Sequence, residues 1–159
     1  MDRRALLRAT AAAAALTLLP GAAEAAWTRV LAHTARAGTP LAPARRATVE
    51  AIADALLPRT DTPGALDVGV PDWIEVIVAE QLDAAQRDTF LAQLDAIAAL
   101  AVERGGAPLP TLRGEALARV MDALDAPADR TLPAVRGYAR LKGLVIHGYF
   151  TSRIVQQEV

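Results

Sequence analysis

From residue 43 onward, wherever the chain shows a pattern, the pattern is helical. Apolar residues recur three and four positions apart, and no stretch shows the strict alternation of a half-buried strand. Val49, Ile52, Ala53 and Leu56 line one face of a helix that ends near Pro58, with Arg45, Arg46, Glu50 and Asp54 on its wet side. Ile74, Ile77, Val78 and Leu82 make a second stripe, expected to start at Asp72 as N-cap with Glu75 completing a capping box. Phe90, Leu91, Leu94, Ile97, Ala98 and Ala101 form a third, opened near Asp83 and Gln86 and stopped by Gly105-Gly106. Leu117, Val120, Met121 and Leu124 give a shorter fourth. Thr131 and Pro133 open a fifth, whose apolar face holds Val135, Tyr138, Leu141, Val145 and Tyr149. Gly137, Gly143 and Gly148 each cost about 1 kcal/mol relative to alanine inside a helix. They therefore mark close approach by another backbone, or breaks. The expected fold is all-α: an irregular bundle of about five short helices with a proline-rich loop after the first.

Composition agrees with the pattern and removes several functions. Alanine supplies 37 of the 159 residues, which favours helix and raises the hydropathy without requiring a membrane protein. With no cysteine, this chain has no disulfide, thiolate metal site or cysteine nucleophile. Seventeen basic side chains against 18 acidic ones leave a net charge of −1, unsuited to neutralising nucleic-acid phosphates.

The first residues are an address. Met1–Arg8 is short and basic, Ala9–Leu19 is uncharged, and Ala23-Glu24-Ala25 is a small-x-small site with cleavage expected after Ala25. An 11-residue apolar run is well short of the roughly 20 residues that span a bilayer. Arg3 and Arg4 followed by Leu6 and Leu7 point to the twin-arginine route, although Asp2 stands where Ser or Thr is usual. That route exports folded cargo, so the expected destination is the periplasm. Residues 1–25 are thus read as signal, 26–42 as an extended lead-in and 43–159 as the helical domain.

Pro58-Arg59-Thr60-Asp61-Thr62-Pro63-Gly64, continuing through Gly69 to Pro71, is a loop by its prolines and glycines. Within it Asp61 is expected to hold a turn, Asp67 to be exposed and Asp72 to cap the next helix. Metal chemistry has little to work with: His33 and His147 are the only histidines, far apart in sequence, and no ligand spacing occurs. Neither Gly-x-Gly-x-x-Gly nor a P-loop is present, so no flavin or nicotinamide fold is evident. His147-Gly148-Tyr149-Phe150-Thr151-Ser152-Arg153 is the richest cluster. It reads as a cleft lining, a polar-rimmed aromatic anchor at an interface, or cover for the domain's own core. A hydrolase using Ser152 and His147 would lack a third member.

Ala53–Ala65 with Gly69-Val70-Pro71, and the later run Leu141–Ser152, resemble the two signatures of the gluconate 2-dehydrogenase subunit 3 family, in the family's order. The resemblance implies a non-catalytic small (gamma-type) subunit that binds, helps mature and escorts for export a flavoprotein resembling the glucose-methanol-choline oxidoreductases. FAD would sit in that large subunit and haem c in an electron-transfer cytochrome, with no cofactor in this chain and membrane association only through the complex or the signal. No catalytic residue carries over. Pro58, Arg59, Thr60, Asp61, Thr62, Pro63 and Gly64 are the candidate partner-binding loop, and Tyr149, Phe150 and Thr151 the second contact. The alternatives are a free-standing periplasmic helical binding protein and, third, the small hydrolase.

Overall fold

The computed structural model describes residues 21–32, 41–126, 131–152, 154 and 155. The described residues contain six α-helices, one short 3-10 turn and no strand. In chain order they are α1 (Ala22–Ala32), α2 (Pro43–Leu56), α3 (Val70–Glu80), α4 (Ala84–Gly105), α5 (Gly114–Leu124) and α6 (Pro133–Thr151), the 3-10 turn Leu109–Thr111 preceding α5. The all-α irregular bundle is as expected, but its parts are less uniform. α4 has 22 residues and α6 has 19, long enough at 1.5 Å per residue to run the length of the domain. The smaller helices pack around this pair.

Local chemistry explains most boundaries. α2 starts with Pro43, whose missing donor costs nothing in a first turn, and stops at Leu57 before Pro58. Asp83 accepts from the Gln86 backbone at 2.8 Å while the Gln86 side chain accepts from the Asp83 backbone at 3.2 Å, so α4 carries a complete capping box. Gly106 ends α4 in the left-handed conformation. Arg87 then reaches back to the carbonyls of Val78, Ala79 and Leu82, satisfying acceptors that the end of α3 leaves open.

Two expectations are corrected here. Of the expected extended lead-in 26–42, residues 26–32 are helical, as part of α1; residues 33–40 with His33 lie outside the described residues, as do Arg3 and Arg4. Ala25, the expected cleavage position, falls inside α1. α3 starts at Val70, not at Asp72: Gly69 takes φ 78° and Pro71 fits the first turn. Asp72 and Glu75 are drawn to Arg46 instead of capping, at 2.7 and 3.0 Å, and Glu50 joins them at 2.8 Å. Burial pushes the Glu75 carboxyl up despite this cation, while burial of the Arg46 guanidinium is outweighed by its three carboxylate hydrogen bonds, which raise its pKa.

The core is one cluster that reaches every helix. Trp73 of α3 is fully buried, with Trp27 of α1 stacked at 6.2 Å and His147 of α6 tilted at 5.9 Å. Its remaining face lies on Gly148, where an added Cβ would come within 2.8 Å of the indole. Gly137 is equally tight against Gln93, with 2.6 Å between the Cβ positions. Two of the three α6 glycines are therefore points of close approach, and no break interrupts the helix. Gly143 is different, with no atom within 4 Å of its Cβ position.

This contrast is testable by chemical denaturation. Gly148→Ala is expected to destabilise the domain by about 1–3 kcal/mol through overpacking, even though alanine is the better helix former. Gly143→Ala is expected to stabilise it by up to about 1 kcal/mol. Equal effects at the two positions would contradict the Trp73 contact.

Candidate functional site: a locked loop and its anchor

The segment between α2 and α3 is irregular but internally bonded. The Ala65 backbone donates to Leu57 O at 2.8 Å and Val70 donates to Ala65 O at 3.0 Å, closing the loop at both ends. Asp67 is its centre: one carboxylate oxygen accepts from the Gly64 N–H at 2.7 Å and the other from Arg59 at 2.9 Å. Asp67 is exposed as expected, but it also takes the role expected of Asp61. Asp67 holds the turn, and Asp61 is exposed. Gly64 must be glycine for a steric reason, because a Cβ would lie 2.7 Å from the Arg59 nitrogen and 2.9 Å from Leu57 O. Those are backbone atoms that cannot swing aside.

A second segment, 86 residues away, clamps the loop. The Tyr149 hydroxyl donates to Pro63 O at 2.6 Å. Tyr149 is only 2% exposed, which corrects its assignment as a contact residue: it belongs to the core and positions the loop from within. Phe150 is half-buried and meets the Tyr149 ring edge-on at 5.3 Å. Thr151, also half-buried, accepts from Trp27 Nε1 at 3.1 Å and donates to His147 O at 2.8 Å. Among the loop candidates, Pro58, Arg59, Thr60 and Asp61 are exposed, Thr62 and Pro63 are half-buried, and Gly64 is buried. Leu66, which the sequence reading did not single out, adds an apolar side chain 43% exposed. The outward surface is therefore Pro58–Asp61 with Leu66. It carries hydrogen-bonding and apolar groups on a backbone already fixed, which suits docking better than bond-making chemistry.

The residues nominated for catalysis do not assemble. Ser152 is 1% exposed, and its oxygen accepts from the Val155 backbone at 3.3 Å. His147 is exposed but spends one ring face on Trp73. Partial burial pushes its pKa below the usual histidine value. No group of three or more histidine, cysteine or acidic side chains placed to hold a metal occurs among the described residues. Trp27 and Trp73 pack beside the anchor, Trp73 against His147 and Gly148 and Trp27 bonded to Thr151, and neither was singled out from the sequence. Two tryptophans in a chain with 4% aromatics were the signal available.

Tyr149→Phe should cost about 1–3 kcal/mol by leaving the Pro63 carbonyl without its donor, and should speed amide exchange at Gly64 and Ala65. Unchanged exchange there would mean that Tyr149 does not hold the loop. For His147, the depressed folded pKa means that the unfolded chain binds its proton first as pH falls. Its contribution to stability is then present above the unfolded value near 6.5 and is lost on acidification through the folded value. His147→Gln should flatten that part of a stability-versus-pH curve, and a histidine titration above 6.5 by NMR would reverse the sign.

The family model described as Gluconate 2-dehydrogenase subunit 3 matches residues 43–159. No curated protein and no solved structure gives a match. The match spans α2 to α6, and so includes both the Pro58–Gly69 loop and the Tyr149 anchor that clamps it. With most of its length matched in this way, the chain belongs to the gluconate 2-dehydrogenase subunit 3 family, an accessory subunit family of a dehydrogenase.

Proposed function

We propose that the chain is the non-catalytic small subunit of a periplasmic FAD-dependent sugar or polyol dehydrogenase. It binds the flavoprotein large subunit, supports its maturation, and carries through Arg3 and Arg4 the twin-arginine address that exports the folded pair. FAD belongs to that large subunit, of the glucose-methanol-choline type, and haem c to a cytochrome that takes the electrons onward. Family membership over residues 43–159 is the observation that carries this reading. The locked loop supports it physically. A surface fixed by Asp67, Gly64 and Tyr149 loses little conformational entropy when a partner covers it. An escort must recognise a folded shape, and a preorganised loop is suited to that.

The test is co-expression of the tagged full chain with a candidate flavoprotein of the glucose-methanol-choline type from the same organism, followed by isolation from the periplasm. A stoichiometric complex with flavin absorbance is the expected result. Removal of Arg3 and Arg4 should leave both proteins in the cytoplasm. Asp61→Ala combined with Leu66→Ser alters exposed loop side chains outside the Asp67 lock, and should weaken the complex about tenfold or more, or 1.4 kcal/mol. A colourless chain isolated alone, with the flavoprotein exported independently, would refute the escort role and favour a free-standing binding protein.

A further inference from the structure

α1 contains the bond at which the sequence places leader processing. Ala23-Glu24-Ala25 is the small-x-small run, and Ala25–Ala26 is the bond to be cut. Ala25 is exposed and Ala26 is 2% exposed, so the bond straddles the line between helix surface and core. Hydrogen bonds of the helix bracket it. The Ala25 N–H donates to Gly21 O at 3.0 Å, and the Thr28 hydroxyl donates to Glu24 O, also at 3.0 Å.

The residues that follow the bond are pinned to two other helices. Trp27 is 8% exposed, stacks on Trp73 of α3 at 6.2 Å and donates its indole N–H to Thr151 of α6 at 3.1 Å. Arg29 pairs with Glu80 at the end of α3, and Val30 packs half-buried against the core. A peptidase that takes its substrate as an added strand needs extended backbone on both sides of the bond it cuts. Fraying of the first helical turn frees residues 22–25 at little cost. It does not free Ala26 and Trp27, which become extended only if α1 leaves α3 and α6.

We propose that α1 withholds the Ala25–Ala26 bond from leader processing, so that the folded, exported chain keeps residues 1–25 and is cut only when α1 undocks. The inference rests on the export reading given above. Folded export presents α1 to the peptidase already docked, not as the extended leader of an unfolded chain. Cleavage of a folded protein tracks the population of its opened form. Here that form must give up the Trp27–Trp73 stack, the Thr151 hydrogen bond and the Arg29–Glu80 pair together. Arg3, Arg4, Arg8 and the uncharged run 9–19 then stay covalently attached to the working subunit.

The test is a pulse–chase of the full chain, tagged at its C-terminus and co-expressed with the candidate flavoprotein, reading the intact mass of the periplasmic product. Wild type should retain residues 1–25 throughout the chase. Val30→Pro breaks α1 beyond the bond while leaving residues 1–29 unchanged, and should lose its leader at least about tenfold faster. Arg29→Ala combined with Thr151→Val removes two attachments of α1 and should lose it at an intermediate rate. Melting temperatures show that each domain is folded, and the double variant carries the test where Val30→Pro unfolds it. Wild type cut as fast as these variants overturns the shielding and leaves the export reading standing. Every chain left intact, Val30→Pro included, also overturns it, because Ala25–Ala26 is then no processing bond. A wild-type chain that stays in the cytoplasm, or export indifferent to loss of Arg3 and Arg4, overturns the export reading itself.

Discussion

Everything around the candidate site depends on how closely α6 approaches Trp73. Gly148 allows the indole to lie on the α6 backbone, and this contact fixes both the depth and the rotation of the helix. The residues on either side then have little choice of position. His147 meets the Trp73 ring, Tyr149 reaches under the loop to Pro63, and Thr151 accepts the Trp27 indole N–H. Five consecutive residues thereby connect α1, α3 and the proline-rich loop. A side chain at position 148 would do more than crowd one tryptophan; it would move three attachments together.

The electrostatics follow two different rules. Arg46 sits beneath three carboxylates and ties α2 to the first turn of α3, a network that is stable within the folded chain. Lys142 is 7% exposed and is likewise matched, by both oxygens of Asp125 at 2.9 and 3.0 Å. Arg87, Arg113 and Arg140 have no carboxylate partner among the described residues: Arg87 and Arg113 donate to backbone carbonyls, and the half-buried Arg140 guanidinium lies over the face of Phe90.

Much of the architecture was legible in the sequence because it is determined locally. The stop at Pro58, the Asp83–Gln86 capping box, the Gly106 terminus and the Pro133 start are decisions made within one helical turn. Periodicity located α2 to α6 for the same reason. What could not be read was set by partners distant in sequence. Asp72 looked like a cap until Arg46, 26 positions earlier, claimed its carboxylate. α1 looked unpatterned because its placement rests largely on Trp27, buried Ala26 and half-buried Val30, with the Arg29–Glu80 ion pair, and not on a long repeating stripe. Within the site, the chain's two informative segments were visible, but their relation was not. Tyr149 resembled an exposed aromatic anchor, and only the folded chain shows it turned inward beneath Pro63.

The hydrogen bond from Trp27 to Thr151 spans 124 positions and joins the first and last of the described helices. It imposes an order on assembly. As the ribosome releases the chain, α1 emerges before its acceptor exists, and it cannot be fully seated until α6 has been made. A chain interrupted before that point would lack the Gly148 backbone that lies against Trp73 and the Thr151 hydroxyl that accepts from Trp27. The finished chain covers both indoles, so the covering of one small aromatic surface records that synthesis has reached the far end.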